Sequence, residues 1–320
     1  MKKNKLIAAI LCAALLLWGC AEDKAEQFAD RTEQFAAITE EETVISSENT
    51  VPEIRQSFGQ LECLYYNEKE FGAFDGMSRV YETDGELMCM TVPHHLLAGN
   101  MISSAFRTAA ERESTDTVVI VAPIHEPRGD DIVTSLADWI TPFGVTENDR
   151  EISELFAERL GAAYDNDMLE TDHSASGLIP FAARFFPDAK ISCLLVAGRA
   201  DKDIPRQLSE LLCEISAEKN CLFVFSSDFS HYLEPHDADR MDTETRRAVF
   251  DGDTAAIAAM TNDNTDSPPT VETFVRLSSL LGCTVSELDH GNSMTVTHLS
   301  YTMANFPEGV TSYFIFGAVR

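Results

Sequence analysis

The sequence predicts a single α/β domain, with a central sheet flanked by helices, over residues 53–320. Short apolar runs alternate with segments of helical periodicity along this stretch, which is the pattern of βαβ units. The chain has 320 residues, of which 44% are hydrophobic, so it can bury a sizeable core. No linker-like segment interrupts the alternation, and we therefore expect one domain.

Residues 1–19 have the pattern of an export signal. A lysine-rich start precedes an apolar stretch, residues 6–17, that is too short to span a bilayer as a stable helix. The stretch ends in Leu-Trp-Gly-Cys at Cys20, which resembles a lipoprotein-type signal peptide, cleaved before a cysteine that then carries lipid. That signal predicts an exported chain, lipid-anchored to the membrane at Cys20, with an extracytoplasmic body. An ordinary signal peptide and an uncleaved N-terminal anchor are the alternatives.

Residues 20–52 are rich in Glu, Gln, Ala and Thr and poor in large apolar side chains, so we expect an acidic flexible tether. The whole chain carries a formal net charge of -29. Such a surface repels nucleic acid and anionic lipid head groups. We therefore predict no nucleic-acid partner, and contact with the membrane through the N-terminal lipid.

The body is predicted to begin its strand and helix alternation near residue 87. Apolar runs predict strands at 87–92, 117–122, 191–196, 221–225, 284–288 and 312–319. Helical spacing predicts helices at 99–112, 149–163, 175–186, 204–217, 237–250, 253–260 and 269–281. In the second of these helices, for example, apolar side chains recur at Ile152, Leu155, Phe156 and Leu160.

The strand at 221–225 is followed at once by Ser-Ser-Asp-Phe-Ser-His, residues 226–231. Five apolar residues before small polar and ionisable ones indicate a buried strand that ends in a functional loop. In open α/β sheets, ligands bind in the crevice beyond the carboxyl ends of the strands. The alternative is that this loop only caps the next helix.

Histidines follow three of the predicted strands. His94 and His95 come after the strand at 87–92, His125 after 117–122, and His231 after 221–225. Three strand ends that bring imidazoles to one crevice predict a metal site or an acid/base site. His173, in Thr-Asp-His-Ser, is either a fourth member or part of a capping loop.

Several other chemistries are disfavoured by missing motifs. The chain lacks His-Glu-x-x-His, Gly-x-x-x-x-Gly-Lys and Gly-x-Ser-x-Gly, which argues against zincins, nucleotide hydrolases and α/β-hydrolases. No Cys-x-x-Cys occurs, and we expect the six cysteines after Cys20 to be mostly free thiols. His236 is predicted to lie on the surface, whereas His290 and His298 carry no informative pattern.

Five short motifs, taken in order, resemble the Memo-like family, whose bacterial members are called AmmeMemoRadiSam system protein B. The motifs are Val-Pro-His ending at His94, Ala-Pro-Ile-His ending at His125, Asp-His-Ser around His173, Ser-Ser-Asp-Phe-Ser-His-Tyr at 226–232 and Ser-Tyr at 312–313. The resemblance covers about residues 85–320, and the Ser-Ser-Asp-Phe-Ser-His block is its most specific part.

The resemblance implies a fold similar to class III extradiol dioxygenases and a mononuclear transition metal: iron, with copper or zinc as alternatives. By position, His94 and His125 would be metal ligands and His231 the acid/base histidine, with Asp228 and His173 lining the pocket. Further members of the AmmeMemoRadiSam system would be partners.

The chain departs from the family pattern at three places. Residues 175–178 (Ala-Ser-Gly-Leu) supply neither the histidine nor the glutamate that the family has there. The family's third metal ligand is typically a cysteine, whereas residues 264–269 contain none; Asp266 could replace it. His95 stands where the family usually has a small residue.

The leading hypothesis is a membrane-anchored Memo-like protein with a metal site and redox or dioxygenase-like chemistry on a small substrate. His231 would move a proton, oriented by a carboxylate such as Asp228. Two alternatives stay open. One is a non-catalytic binding lipoprotein for a peptide or small molecule, and the other is an assembly partner.

Overall fold

The computed structural model describes residues 58–112 and 114–320. The predicted signal peptide, 1–19, and tether, 20–52, lie outside the described residues. A nine-stranded mixed sheet forms the centre of the body. Its strands are β2 Leu87–Val92, β3 Thr117–Pro123, β4 Ile132–Thr134, β7 Ala163–Tyr164, β8 Lys190–Val196, β9 Cys221–Ser226, β10 Phe229–Leu233, β11 Thr284–Asn292 and β12 Val310–Val319. They are arranged in the order β10-β12-β2-β9-β3-β8-β4-β7, with β11 also paired to β12. The remaining strands, β1 Gln60–Glu62, β5 Asp138–Thr141 and β6 Gly144–Thr146, form a small second sheet.

The helices pack on both faces of the large sheet. They are α1 Glu68–Met77, α2 Gly99–Ala109, α3 Arg150–Leu160, α4 Asn166–Thr171, α5 His173–Ser176, α6 Ile179–Phe185, α7 Ile204–Ser216, α8 Pro235–Asp251, α9 Thr254–Ala258, α10 Pro268–Leu280 and α11 Ser293–Thr297. This architecture confirms the predicted α/β fold. Among the described helices, none combines the length and apolar character needed to cross a membrane.

The centre of the sheet is parallel and buried on both faces. Strands β2, β9, β3 and β8 run parallel, and every residue of β2, β3 and β9 is buried. Along β3, Ile120 packs into one core cluster with α2 and α6, whereas Val121 packs into the other with α7 and α10. Because successive side chains of a strand point to opposite faces, a strand covered on both sides needs an unbroken apolar run.

All six predicted strands are present, and the helix predicted at 175–186 is two helices instead. Helix α5 ends at Ser176 and α6 begins at Ile179, with Pro180 in its first turn. Proline lacks the N–H that a continuous helix would need there, and its ring would clash with the preceding turn. The unpredicted strands β4 to β7 have two to four residues each, too few for a period to show. Helix α1, with ten residues, was also not predicted; it buries only Phe71, so its sequence shows no apolar face.

The six cysteines within the described residues are all free, as expected. Cys89, Cys193 and Cys221 are buried in the core clusters. Burial, with the nearby carboxylates of Glu170 and Glu62, raises the pKa of the Cys63 thiol to about 12. These groups therefore stay protonated and pack as small apolar side chains.

Candidate metal centre

Three neighbouring parallel strands end at one edge of the sheet, and the residues that follow them form the site. In the sheet, β9 lies between β2 and β3, and Val92 at the end of β2 pairs with Ser226 at the end of β9. His94 follows β2 by two residues, and His125 follows β3 by two residues. The carboxyl ends of these strands therefore deliver both imidazoles to the same crevice, as the sequence predicted.

Three histidines meet in this crevice. One ligand atom each from His94, His125 and His173 lies within 4.8 Å of the other two. The ring centroids of His94 are 4.9 Å from His125 and 5.2 Å from His173, and His125 and His173 stack at 4.3 Å. Imidazole nitrogens are ligands for Fe, Zn, Cu and Ni, so this group could hold a metal ion.

Ser226 fixes the orientation of His94. The Nδ1 atom of His94 lies 2.9 Å from Ser226 Oγ, and Ser226 donates its only hydroxyl hydrogen to the carbonyl oxygen of Ser174 at 2.7 Å. Ser226 therefore accepts a hydrogen bond from His94 Nδ1–H. This arrangement directs the Nε2 atom of His94 into the crevice, where a neutral imidazole presents its lone pair.

Asp172 fixes the orientation of His125 in the same way. Its Oδ1 lies 2.8 Å from His125 Nδ1, and its Oδ2 accepts from the backbone N–H of His125 at 2.8 Å. Burial raises the pKa of Asp172, but the hydrogen bonds with His125 and the charge of His125 outweigh burial. The net pKa lies well below its ordinary value, so the carboxyl group is ionised. A carboxylate behind a metal-binding histidine is a common supporting contact.

Asp266 is placed opposite the two strand-end histidines. Its Oδ2 lies 3.0 Å from His94 Nε2 and 3.8 Å from His125 Nε2. Although this oxygen is buried, it forms no hydrogen bond within the described residues. Two imidazole nitrogens and one carboxylate oxygen converge on one space, and all three are atoms that a metal ion can bind; without a metal, a proton on His94 Nε2 would bridge the 3.0 Å to Asp266 Oδ2.

The opposite charges of His94 and Asp266 shift the pKa values of these two groups apart. Burial lowers the pKa of His94, but the carboxylates of Asp228 and Asp266 outweigh it and raise the pKa to about 9. Burial raises the pKa of Asp266, whereas the charge of His94, followed by those of His231 and His125, brings it below its ordinary value. A metal ion would therefore have to replace a proton on His94.

His173 is neutral in this environment. Burial, followed by the positive charges of His94 and His125, lowers the pKa of His173 to about 4. The sequence left open whether His173 joins the site or only belongs to a capping loop. The structure places it in the histidine group, while its neighbour Asp172 caps α5 through the backbone N–H of Ser174.

Asp228 holds the loop that carries His94. Its Oδ1 accepts from the backbone N–H of His94 at 3.1 Å and from that of His95 at 3.5 Å. Its carboxylate forms no hydrogen bond with His231 in the part of the chain that the structure describes. The expected orientation of His231 by Asp228 is therefore not seen, because Asp228 turns back towards the end of β2.

His231 lies in an irregular part of β10. Between Phe229 and Leu233, the pairing with β12 shifts register, and Tyr232 has φ 58. The backbone N–H of His231 bonds instead to Asn262 O at 3.2 Å. Its Nδ1 is buried and has no hydrogen-bond partner among the described residues. The irregular pairing thus leaves one imidazole nitrogen of His231 buried and unsatisfied, and the ring is near enough to Asp266 for its charge to lower the pKa of that carboxyl.

The other histidines have different surroundings. His95 Nδ1 lies 2.8 Å from the hydroxyl of the buried Tyr313. The side chain of His236 is 93% exposed, which confirms the predicted surface position. His290, which lies in no informative sequence pattern, has its Nε2 atom 3.0 Å from Asp242 Oδ2 and stacks on Phe314 with ring centroids 4.2 Å apart.

A cavity of about 260 Å³ opens beside the histidines. Tyr65, Arg128 and Met168 line it together with His125 and His173. The hydroxyl of Tyr65 donates to the carbonyl oxygen of Thr171 at 2.5 Å, which fixes this wall. The cavity is large enough for a small molecule and too small for a folded partner.

A family model described as Memo-like protein matches residues 74–297, more than half of the chain. The chain belongs to the Memo-like family. A MEMO1 family protein of Methanosarcina acetivorans is 28% identical over 206 residues, which cover 62% of this chain and 73% of the relative. A MEMO1 family protein of Methanococcoides burtonii is 29% identical over 213 residues, which cover 64% of this chain and 77% of the relative. These names state a family and no reaction.

The matched range contains every residue of the candidate metal centre, from His94 to Asp266. The resemblance drawn from the five motifs is thereby confirmed at the level of the family. Asp172 was expected only as a cap, and its contact with His125 was missed. Ser226 and Ser227 were expected in the functional loop but were given no role; their hydroxyls support His94 and Asp266. The only sequence signal for the two serines was their position directly after a buried strand.

Proposed function

We propose that this Memo-like chain holds one mononuclear transition-metal ion and uses it in redox or dioxygenase-like chemistry on a small molecule. His94 and His125 would be ligands through Nε2, and Asp266 would be the third ligand through Oδ2. The observation that carries this proposal is the buried Asp266 Oδ2, which faces both imidazole nitrogens and forms no hydrogen bond among the described residues.

The donor set supports iron as the metal, with copper or zinc as alternatives. Two imidazoles and one carboxylate form the facial arrangement of non-haem Fe(II) oxygenases. The oxygen of Asp266 stands where the family typically has a soft thiolate, and carboxylate ligands are harder than thiolates. An iron ion held here would supply a Lewis-acidic, redox-active centre for oxidation of a bound molecule.

The residues around this centre have separate tasks in the proposed reaction. Ser226 and Asp172 hold His94 and His125 with Nε2 directed inwards. The Nδ1 atom of His231, which has no described partner, would accept or return a proton of the substrate. The cavity beside His173 would admit a substrate of small size.

The test is the metal content of the chain purified without oxygen. We expect close to one iron per chain in the parent and none in the His94→Ala/His125→Ala double variant. His236→Ala is the matched control, because its side chain is a fully solvated histidine outside the crevice. A parent that contains no metal and takes up neither added Fe(II), Cu(I) nor Zn(II) would contradict the proposal.

One observation favours a second function, that of a binding lipoprotein without catalysis. The segment 175–178 is buried and presents no histidine or glutamate, so the crevice lacks groups that the family pattern has there. A chain without metal that still binds a small molecule or peptide in the cavity, and loses it on Tyr65→Ala substitution, would support this function.

A further inference from the structure

The two carboxylate oxygens of Asp266 have different surroundings. Oδ2 faces the imidazoles of His94 and His125 and accepts no hydrogen bond within the described residues. Oδ1 accepts a hydrogen bond from the hydroxyl of Ser227 at 2.9 Å. No other side chain of the described residues bonds to Oδ1. One oxygen therefore faces the histidines, and the other is bound by Ser227.

A second hydroxyl supports this contact. Ser227 Oγ lies 2.6 Å from Thr265 Oγ1. The carbonyl oxygen of Asp228 is an alternative acceptor for both hydroxyls, but it is more distant, 3.3 Å from Ser227 Oγ and 3.2 Å from Thr265 Oγ1. With the hydroxyl hydrogen of Ser227 directed at the nearer and ionised Asp266, Thr265 donates to Ser227. A hydroxyl that accepts one hydrogen bond is a stronger donor for the next, and a bond to an ionised acceptor is stronger still. The hydrogen bonds therefore run in one direction, from Thr265 to Ser227 and from Ser227 to Asp266.

The backbone and burial keep this chain of hydroxyls in place. The N–H of Ser227 bonds to Val92 O at 2.9 Å, and the N–H of Asp266 bonds to Asp228 O at 3.1 Å. Ser227 and Thr265 are fully buried. The backbone at both ends of the Ser227–Asp266 contact is therefore anchored near the strand ends, so the hydroxyl of Ser227 is what holds the carboxylate in this orientation.

We infer that Ser227 is a positioning residue that keeps Asp266 Oδ1 out of the metal centre, so that the carboxylate offers one ligand atom and not two. This inference rests on the proposed function. With Oδ1 engaged, the chain supplies His94 Nε2, His125 Nε2 and Asp266 Oδ2, and leaves coordination positions open for a small ligand. Without the Ser227 hydroxyl, Asp266 can turn and occupy a further position with Oδ1.

The test compares Ser227→Ala, Ser227→Thr and the parent, each as the full chain loaded with Co(II). Azide is the probe for open coordination positions, and its affinity is measured by titration of the visible absorption. Ser278→Ala is the matched control, since this buried serine bonds to the helix carbonyl of Phe274 and lies outside the crevice. Thermal unfolding of each variant checks that the fold is intact.

We expect Ser227→Ala to retain Co(II), to absorb less strongly as the coordination number rises, and to bind azide about 10-fold more weakly. Ser227→Thr keeps a hydroxyl and should restore the parent values, and Ser278→Ala should match the parent. If Ser227→Ala does not fold, Thr265→Val replaces it, with a smaller change in the same direction.

Two outcomes overturn the inference, and they differ in what happens to the proposed function. If Co(II) binds and azide affinity is the same in parent, Ser227→Ala and Thr265→Val, then Ser227 does not control Asp266, and the metal centre stands. If the parent takes up no Co(II), Fe(II), Cu(I) or Zn(II), then both the inference and the proposed function fail.

Discussion

Asp266 and His173 are two candidates for the third metal ligand beside His94 and His125. The His173 ring stacks face to face on His125, with centroids 4.3 Å apart and planes tilted by 24°. Asp266 instead brings a negative charge and a free oxygen, 3.0 Å from His94 Nε2. A divalent cation gains more from an ionised oxygen than from another neutral nitrogen in a buried site.

The choice between them can be tested by single substitutions. We expect Asp266→Asn to weaken Fe(II) binding by more than about 100-fold, beyond the usual loss for a supporting residue. His173→Ala should keep the metal, because His173 then only lines the cavity. Affinity is measured by competition with a chelator under nitrogen. Loss of metal in His173→Ala and retention in Asp266→Asn would assign the centre to the three histidines.

A second prediction concerns the kind of metal. Asp266→Cys should shift the preference of the centre from Fe(II) towards Cu(I) and Zn(II), since a thiolate is a softer ligand than a carboxylate. Asp266→Glu is the control that keeps an oxygen ligand. The metals retained after growth and purification in a mixed-metal medium are measured by mass spectrometry. An unchanged metal ratio in Asp266→Cys would argue that position 266 does not contact the metal.

The residues of the site differ in how far sequence could identify them. His94 and His125 follow long apolar strands, so their place at the sheet edge could be read from periodicity. Asp172 carries the signal of a helix cap, and it is one, yet its carboxylate also binds His125. Side-chain partners 47 residues apart leave no local pattern, because only tertiary packing brings them together.

At the scale of elements, length and burial decided which parts were predictable. Strands β3, β8 and β9 have six or seven residues and consist mostly of apolar side chains. Strand β10 follows β9 after two residues and pairs irregularly with β12, so its sequence shows neither alternation nor a continuous apolar run. A strand with irregular pairing has no regular apolar period in its sequence, so periodicity does not predict it. Here the irregular pairing also positions His231.

Gly309 maintains the irregular pairing of β10. It has φ +99, and a Cβ there would lie 2.5 Å from the carbonyl carbon of Tyr232 and 2.7 Å from the nitrogen of Leu233. We expect Gly309→Ala to destabilise the fold by at least about 2 kcal/mol, because overpacking adds to backbone strain. Gly144→Ala is the control: φ is +123 and no atom lies within 4 Å, so it should cost only about 1 kcal/mol.

The measurement for this pair is urea unfolding at neutral pH, together with metal content. Gly309→Ala should also displace His231, which lies within the irregular segment of β10, whereas Gly144→Ala should leave the site intact. Equal free energies of unfolding for the two variants would show that the close approach at Gly309 does not constrain β10.

Asp149 joins three elements at the opposite end of the strands. It caps α3 through the N–H of Ile152, accepts from the Thr117 hydroxyl at 2.6 Å at the start of β3, and pairs with Lys219 at 2.9 Å after α7. Burial raises the pKa of Asp149, but the hydrogen bonds from Thr117 and Lys219 outweigh it and bring the pKa below its ordinary value. The ionised form therefore stabilises the folded state.

This lowered pKa sets the sign of a pH dependence. A carboxyl whose pKa is lower in the folded state contributes stability above its unfolded pKa of about 3.9 and loses it as the pH falls. We expect Asp149→Asn to cost about 2 kcal/mol at pH 7, and the gap to the parent to narrow below about pH 5. Urea unfolding from pH 3 to 7 measures this. The control is Asp165→Asn, because Asp165 caps a helix and has no lysine partner among the described residues; this change should cause a smaller loss at pH 7.

At the scale of the whole molecule, the two core clusters explain why the site lies at an edge. Helices cover both faces of the sheet, and strands β2, β3 and β9 bury every side chain in the two clusters. The carboxyl ends of β2, β3 and β9 are where the backbone leaves the core and polar side chains can converge. The sequence predicted a site at this edge because the position of the edge depends only on where the strands end.

The proposed anchoring of the whole chain at Cys20 makes a separate prediction. A net charge of -29 repels anionic lipid, so a lipid on Cys20 would be the main attachment to the membrane. We expect Cys20→Ala to move most of the protein from the membrane fraction to the soluble fraction, with its metal content unchanged. Cys12→Ala, a change within the apolar stretch, is the matched control and should stay with the membrane. A Cys20→Ala variant that remains in the membrane fraction would favour an uncleaved N-terminal anchor, and release of both variants would favour an ordinary cleaved signal.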